Sequence, residues 1–288
     1  MLCFRQDVSG SAHRPTRSQL WRRRIDKTDA GDIDLLDIGK PDGHAVILIT
    51  HGLGSLESFE EIAEGMEARF PGRRIVAYSR PGRGMSPLNP NVEASSLLTF
   101  EALQALPAIL SALGIVTVDL VAHSDGAAVA MLFACANPLK VGRIVGISPQ
   151  VHADRLSIDQ LRELVTNNDH LDDVKRLGAD HGDVGVASRC WVAMHDALAA
   201  NPDHVLGGLA RIDAPMLLVQ GLRDEGTQHQ MSALSTRVRG PMKWVILRND
   251  GHFPQHDSTD IVLDLICGHL QDVDAKGTSG RRQTRAVS

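Results

Sequence analysis

Short apolar runs recur along this chain, at residues 45–50, 75–79, 118–122, 142–148, 216–221 and 244–247, and stretches of helical periodicity separate them. A strand with one face in water alternates apolar and polar residues. A run that is apolar almost throughout needs cover on both faces, the condition inside a parallel sheet. The intervening segments are amphipathic: Phe59, Ile62, Met66 and Phe70 recur at helical spacing behind a Ser58-x-x-Glu61 capping box. Phe100, Leu103, Leu106, Leu110 and Leu113 outline a second helix that ends at Gly114, with Pro107 expected to kink it or shift its start. A third runs from Ser124 to Asn137 before Pro138, and Ile261, Leu265 and Ile266 mark the last. Strand–helix alternation of this kind implies an α/β fold, a mostly parallel central sheet with helices on both faces.

Two regions depart from the rhythm. Residues 20–26 and 33–38 flank a turn at Ala30-Gly31 and read as an opening hairpin. Residues 149–208 carry helical patterns around Ile158, Leu161, Leu171, Trp191 and Leu198 but no strand, and read as a helical cap inserted in the core. The expected organisation is a core of residues 20–148 and 209–270, the cap at 149–208, and disordered tails at 1–19 and 271–288. The basic clusters Arg22–Arg24 and Arg281, Arg282 and Arg285 lie at the two ends, and the net charge of -5 argues against a nucleic-acid binder.

The segment Val118-Asp-Leu-Val-Ala-His-Ser124-Asp125-Gly126-Ala-Ala carries the strongest chemical signal. A strand runs straight into a helix, with one serine at the turn among small residues. Such an elbow presents the hydroxyl at the carboxyl edge of the sheet, beside the amides of a helix N-terminus. Ala122 stands where the commonest form of the elbow has glycine. His51-Gly52-Leu53-Gly54, directly after the 45–50 run, suits the second half of an oxyanion hole, so the Leu53 and Asp125 amides are the candidate donors. His51 and His123 read as hydrogen-bonding structural residues. Asp224 follows the 216–221 run, and His252 lies in the loop after the last one. The order serine, acid, histidine assigns Ser124 as nucleophile, His252 as general base and Asp224 as its support. Asp154 and Glu225 are the competing carboxylates, and Asp250 lies too near His252 in sequence to reach its far nitrogen.

On these residues the chain resembles the α/β-hydrolase superfamily over nearly all of residues 20–270. Tyr78-Ser-Arg-Pro-Gly82-Arg-Gly84-Met-Ser86 is similar to that family's D-x-x-G-x-G-x-S loop, with Ser79 where aspartate is common. The Ser-Asp-Gly elbow together with Tyr78-Ser-Arg-Pro-Gly82 is similar to a bacterial subgroup described only as hydrolases. The resemblance implies the fold and acyl-transfer chemistry. A serine at the elbow separates the chain from the dehalogenases and epoxide hydrolases of this fold, which use aspartate there.

The expected function is a cytoplasmic serine esterase acting on a carboxylic ester or thioester through an acyl-enzyme. The substrate is a small acyl compound, with no nucleic-acid or membrane partner. A serine acyltransferase, a C–C hydrolase on the same residues and a ligand-binding receptor on a hydrolase scaffold remain alternatives. Trp191 and Met194 are the candidate substrate-binding residues of the cap. Arg80 and Arg83 read as a salt bridge under their loop, with contact to an anionic substrate as the alternative. No cofactor is expected: the glycines at 82 and 84 lack the third that a dinucleotide site needs, and there is no phosphate-loop motif. No metal is expected either, since the thirteen histidines form no HExxH motif and the four cysteines lie far apart. The stretch 126–136 is well short of the roughly 20 residues that span a bilayer.

Overall fold

The computed structural model describes residues 22–153, 158–159, 162–163, 181–201, 203–224, 228–271 and 283–287. The strands are β1 (Arg22–Thr28), β2 (Gly31–Gly39), β3 (Ala45–Ile49), β4 (Arg74–Tyr78), β5 (Val118–His123), β6 (Val141–Ile147), β7 (Met216–Gly221), β8 (Met242–Leu247) and β9 (Gln283–Val287). They form one sheet in the order β1-β2-β4-β3-β5-β6-β7-β8-β9. β1, β2 and β4 pair antiparallel, and every neighbour from β4 to β9 pairs parallel.

Burial of both faces explains the apolar runs. Ile47, Ile49, Val76 and Leu120 enter one core cluster, while their neighbours Val46, Leu48, Ile75, Ala77 and Val121 enter another. Helices α1 (Glu60–Arg69) and α8 (Thr259–Gln271) cover the second face with Ile62, Met66, Val262 and Ile266. Helices α2 (Ala94–Ala112) and α3 (Gly126–Ala136) cover the first with Leu98, Leu106, Ile109, Val129 and Phe133. Of the expected cap, α4 (Val184–Ala200) and α5 (Asp203–Leu206) are described. The shorter α6 (Gln228–Ser235) and α7 (Pro254–Asp257) precede β8 and α8 respectively.

The structure refines four local readings. Residues Leu56–Phe59 form a 3-10 turn ahead of α1, so Ser58 lies inside helical backbone and no side chain caps the helix. Pro107 does not interrupt α2, but the α-helical segment Leu106–Ala112 has the proline in its first turn. A π-helical turn at Glu101–Ala105 sits just before it, closed by the Leu106 amide on the Glu101 carbonyl. Within the tail expected from 271 onward, Gln283–Val287 forms a strand that pairs with β8 from Lys243↔Gln283 to Leu247↔Val287. An open β8 edge would leave backbone donors and acceptors unpaired, and the Thr and Val of this segment suit a strand. Finally, 126–136 is not the longest apolar helix: among the described residues α2 is long and apolar enough to cross a bilayer, but half of its most apolar window is buried inside the fold, as in a core helix. The N-terminal tail and Asp154 and Glu225 lie outside the described residues.

Candidate active site

The chain leaves β3 for β4 on one side of the sheet and later returns to β5 on the other. The carboxyl ends of β3 and β5 therefore flank a topological switch point, where α/β sheets open a crevice. The His51–Gly54 turn leaves β3 there, and Ser124 follows β5.

Ser124 has φ 55°, and Ser148, at the end of β6, is the other described non-glycine residue with positive φ. A left-handed serine costs on the order of 1–3 kcal/mol, so its surroundings have to hold it. The Ser124 amide donates to the Ile147 carbonyl at 2.9 Å, and its own carbonyl accepts from the Gln150 amide at 2.9 Å. Gly126 lets α3 begin directly against β3: a Cβ there would stand 2.8 Å from the Ile49 carbonyl oxygen and closer still to that of Thr50.

The structure brings the three expected polar residues into one relay. Asp224 Oδ2 accepts from His252 Nδ1 at 2.8 Å, and Ser124 Oγ lies 3.0 Å from His252 Nε2. With the proton on Nδ1, the lone pair on Nε2 faces the hydroxyl, which donates to it. Gln220 Nε2 donates to Asp224 Oδ2 at 2.9 Å and steadies the carboxylate. Asp250 takes a different partner, Ser258 Oγ at 2.9 Å.

Both candidate oxyanion donors are available. Leu53 and Asp125 are buried, and among the described residues neither backbone N–H donates to a protein acceptor. Of the two histidines read as hydrogen-bonding structural residues, His123 has such bonds and His51 has ring contacts instead. His123 Nε2 donates to the His252 carbonyl at 2.8 Å, while Gln255 Nε2 lies 3.3 Å from His123 Nδ1, so the elbow holds the loop that carries His252. His51 packs edge-on against His123 and Phe253. Burial lowers the pKa of His51 to about 3 and that of His123 well below the ordinary imidazole value. Both stay neutral near neutral pH and place no cation beside His252.

Trp191 and Met194 separate. Met194 is fully buried in the main core cluster, because its face of α4 packs toward the sheet-covering helices. Trp191 lies over the His51–Gly54 turn, where a Cβ on Gly52 would overlap the indole. With Val184 it flanks a small cluster of Leu53 and Ala187 that docks α4 on that turn. His195, one turn further along α4, is within 3.0 Å of the Trp191 carbonyl through Nδ1 and of Gln150 Oε1 through Nε2. A cavity of about 700 Å³ opens between α2 and α4, lined by Leu98, Thr99, Val192 and Ala197, but none of Ser124, Asp224 and His252 reaches it. Position relative to the reacting groups outweighs volume, so that cavity is not the candidate site.

Arg80 and Arg83 are salt-bridged, as expected, but by partners the sequence did not indicate. Glu101, at the start of the π-turn, binds Arg80 Nε and Arg83 Nη1 at 2.6 Å each, and Asp125 Oδ1 binds Arg80 Nη1 at 2.8 Å. All four side chains are buried. Burial alone would raise the Asp125 pKa, but the Arg80 guanidinium holds its carboxyl below the usual range.

Residues 46–265 match the alpha/beta hydrolase family model. The chain belongs to the alpha/beta hydrolase family. Among relatives, it is 29% identical over 280 residues to a 2-hydroxy-6-oxononadienedioate/2-hydroxy-6-oxononatrienedioate hydrolase of Pseudomonas putida, covering 86% of this chain and 96% of that one. It is 38% identical over 107 residues to an sn-1-specific diacylglycerol lipase of Mus musculus, a match that spans 36% of this chain and only 33% of the lipase. Among solved structures, an alpha/beta hydrolase enzyme from a Medee basin deep-sea metagenome superposes with a TM-score of 0.72 at 16% identity, over 87% of this chain and 98% of that one. Family membership makes this chain a hydrolase by kinship, and the structural likeness extends to the whole core.

Proposed function

We propose that this hydrolase cleaves a carboxylic ester or thioester through an acyl-enzyme formed on Ser124. The observation that carries the reading is the continuous relay from Asp224 through His252 to a serine held at positive φ. Ser124 Oγ attacks the acyl carbon as His252 Nε2 takes its proton, and Asp224 stabilises the imidazolium that forms. The Leu53 and Asp125 amides hold the oxyanion. His252 then protonates the leaving alcohol or thiol, and the steps repeat with water to release the acid. These groups suffice without a metal or cofactor.

The relative from Pseudomonas putida acts, by its name, on a dianion, which keeps C–C bond hydrolysis as the second reading. A dianion calls for uncompensated cations. The two arginines next to the elbow and its neighbouring loop are buried against two carboxylates, which favours a neutral acyl substrate. The test is a panel of p-nitrophenyl and thioester acyl chains of increasing length beside a dienoate ketone substrate, with Ser124→Ala as control. Turnover of esters that disappears in Ser124→Ala supports the reading. Turnover of the C–C substrate alone, or full ester activity in Ser124→Ala, overturns it.

A further inference from the structure

Two carbonyls flank the candidate donor Leu53, and each is held. Arg83 Nε donates to the Gly52 carbonyl at 3.0 Å, and His181 Nε2 donates to the Leu53 carbonyl at 2.9 Å. The Gly52 C=O and the Leu53 N–H belong to one planar trans peptide, so they point in opposite directions. Fixing the carbonyl on Arg83 therefore fixes where the N–H is aimed. Arg83 is tied in turn to the Pro81 carbonyl at 2.8 Å and to Glu101. Arg80 joins the other half: its Nη1 reaches both the Thr50 carbonyl at 2.9 Å, at the exit of β3, and Asp125 Oδ1 at 2.8 Å. Asp125 supplies the second donor, and Glu101 holds both guanidiniums from α2.

We propose that Arg83, locked by Glu101 and coupled through it to Arg80 and Asp125, is the positioning residue of the oxyanion hole. The proposal rests on the reading of the Leu53 and Asp125 amides as that hole. Two guanidiniums and two carboxylates removed from water are a poor source of stability, because desolvation offsets most of their attraction and apolar residues could fill the same space. What such a cluster provides is rigid placement. Its bonds run to the two backbone segments whose N–H groups have no protein acceptor among the described residues. The π-turn is part of the arrangement, since Glu101 opens it and the carboxylate divides its oxygens between the two arginines.

Phosphonylation of Ser124 by a fluorophosphonate reads the hole without a natural substrate, because charge develops on a phosphoryl oxygen that the hole must hold. The variants are Arg83→Lys, Arg83→Met and an amide-to-ester exchange at Leu53 that deletes its N–H alone. Arg83→Lys keeps the charge for Glu101 but loses the fork that reaches Gly52 as well, so it carries the test if Arg83→Met, which leaves Glu101 short of a partner, does not fold. The expected result is labelling slowed about 10²- to 10³-fold by the ester exchange and by Arg83→Met, as for loss of one oxyanion donor, and at least about tenfold by Arg83→Lys. The pH profile of labelling keeps its shape, because the base is untouched. Arg83→Lys added to the ester exchange gives little further loss, the mark of two changes acting through one group. Wild-type labelling by Arg83→Lys, or losses that multiply in full, overturns the positioning role. Wild-type labelling by the ester-exchanged protein overturns the hole itself, and an unlabelled wild type overturns the serine mechanism beneath both.

Discussion

Acid should unfold this protein through histidines that it keeps neutral. His51 is buried, and burial lowers its pKa to about 3. In the unfolded chain the same imidazole titrates near its model value of 6.5. Between these values the unfolded state binds a proton that the folded state refuses, so stability falls as pH falls through that window. From pH 7 to pH 5 the unfolded His51 becomes protonated over about 1.5 pH units, and at about 1.4 kcal/mol per unit the loss is about 2 kcal/mol. His123 and His195, also lowered by burial, add losses of the same sign. Asp125 and Asp37, whose pKa values are lowered by arginine neighbours despite burial, act in a different window. Their contribution is complete above the unfolded carboxylate range and is lost only as pH falls through their lower folded values, below pH 4. Urea unfolding at pH 7 and pH 5, in wild type and in His51→Gln, isolates the histidine. The variant should lose about 2 kcal/mol less than wild type between the two pH values. An equal loss in both proteins, or a wild-type loss under about 0.5 kcal/mol, would refute the argument.

Further outcomes follow from the same geometry. Asp224→Asn should leave the fold intact but present an amide that favours the wrong imidazole tautomer, lowering kcat by about 10⁴, measured on the best p-nitrophenyl ester; near-normal turnover would move the supporting role to another carboxylate. The acid limb of kcat/KM should have a slope of one proton, since His51 and His123 remain neutral; a slope of two would show a neighbour titrating with the base. Gly126→Ala should cost about 1–3 kcal/mol, because its Cβ meets backbone that cannot move aside. Gly268→Ala, in α8 with open space around it, should instead gain about 0.5–1 kcal/mol, and thermal melts compare the two directly. Exhaustive EDTA treatment should leave ester hydrolysis unchanged; loss restored by a divalent ion would count against the serine mechanism.

The relay was legible because each member sits at a place that local sequence marks. Ser124 stands where an apolar run meets a helix of small residues, and Asp224 and His252 follow apolar runs in the expected order. The sheet was legible for the same reason, since two-sided burial writes itself into the strands. What escaped depends on partners far apart along the chain. Nothing near Glu101 announces that it binds arginines 21 and 18 residues earlier. The bond from His123 to the His252 carbonyl joins residues 129 apart. Met194 illustrates the limit for helices: spacing groups it with Trp191, but the side of α4 that meets the core is decided by packing. The capping box at Ser58 failed because helical backbone begins earlier, in a turn whose Leu56 amide is satisfied by Ser79 Oγ at 3.1 Å.

Strand register then explains why remote loops converge. Ile49 of β3 stands level with Ala122 of β5, so the His51–Gly54 turn and the elbow leave the sheet side by side, and Leu53 and Asp125 fall only a few residues beyond that level. His123 is level with Ile147, and Ile147 with Val219, which carries the alignment across β6 to β7. Gly221 is level with Leu247, so the loops bearing Asp224 and His252 also emerge together. Each candidate site group is therefore placed within a few residues of a registered strand end, on a short tether. Register itself is set by the alternation that sends Ile47 and Ile49 to one core and Val46 and Leu48 to the other. A slip of one residue in β3 would exchange these two sets and carry Leu53 about 3.3 Å along the strand direction. That shift exceeds the tolerance of a hydrogen bond to an oxyanion. The apolar pattern that makes the sheet is thus also what brings the two amides to one point, and the buried arginines act on the smaller remaining freedom, the direction in which one peptide plane turns.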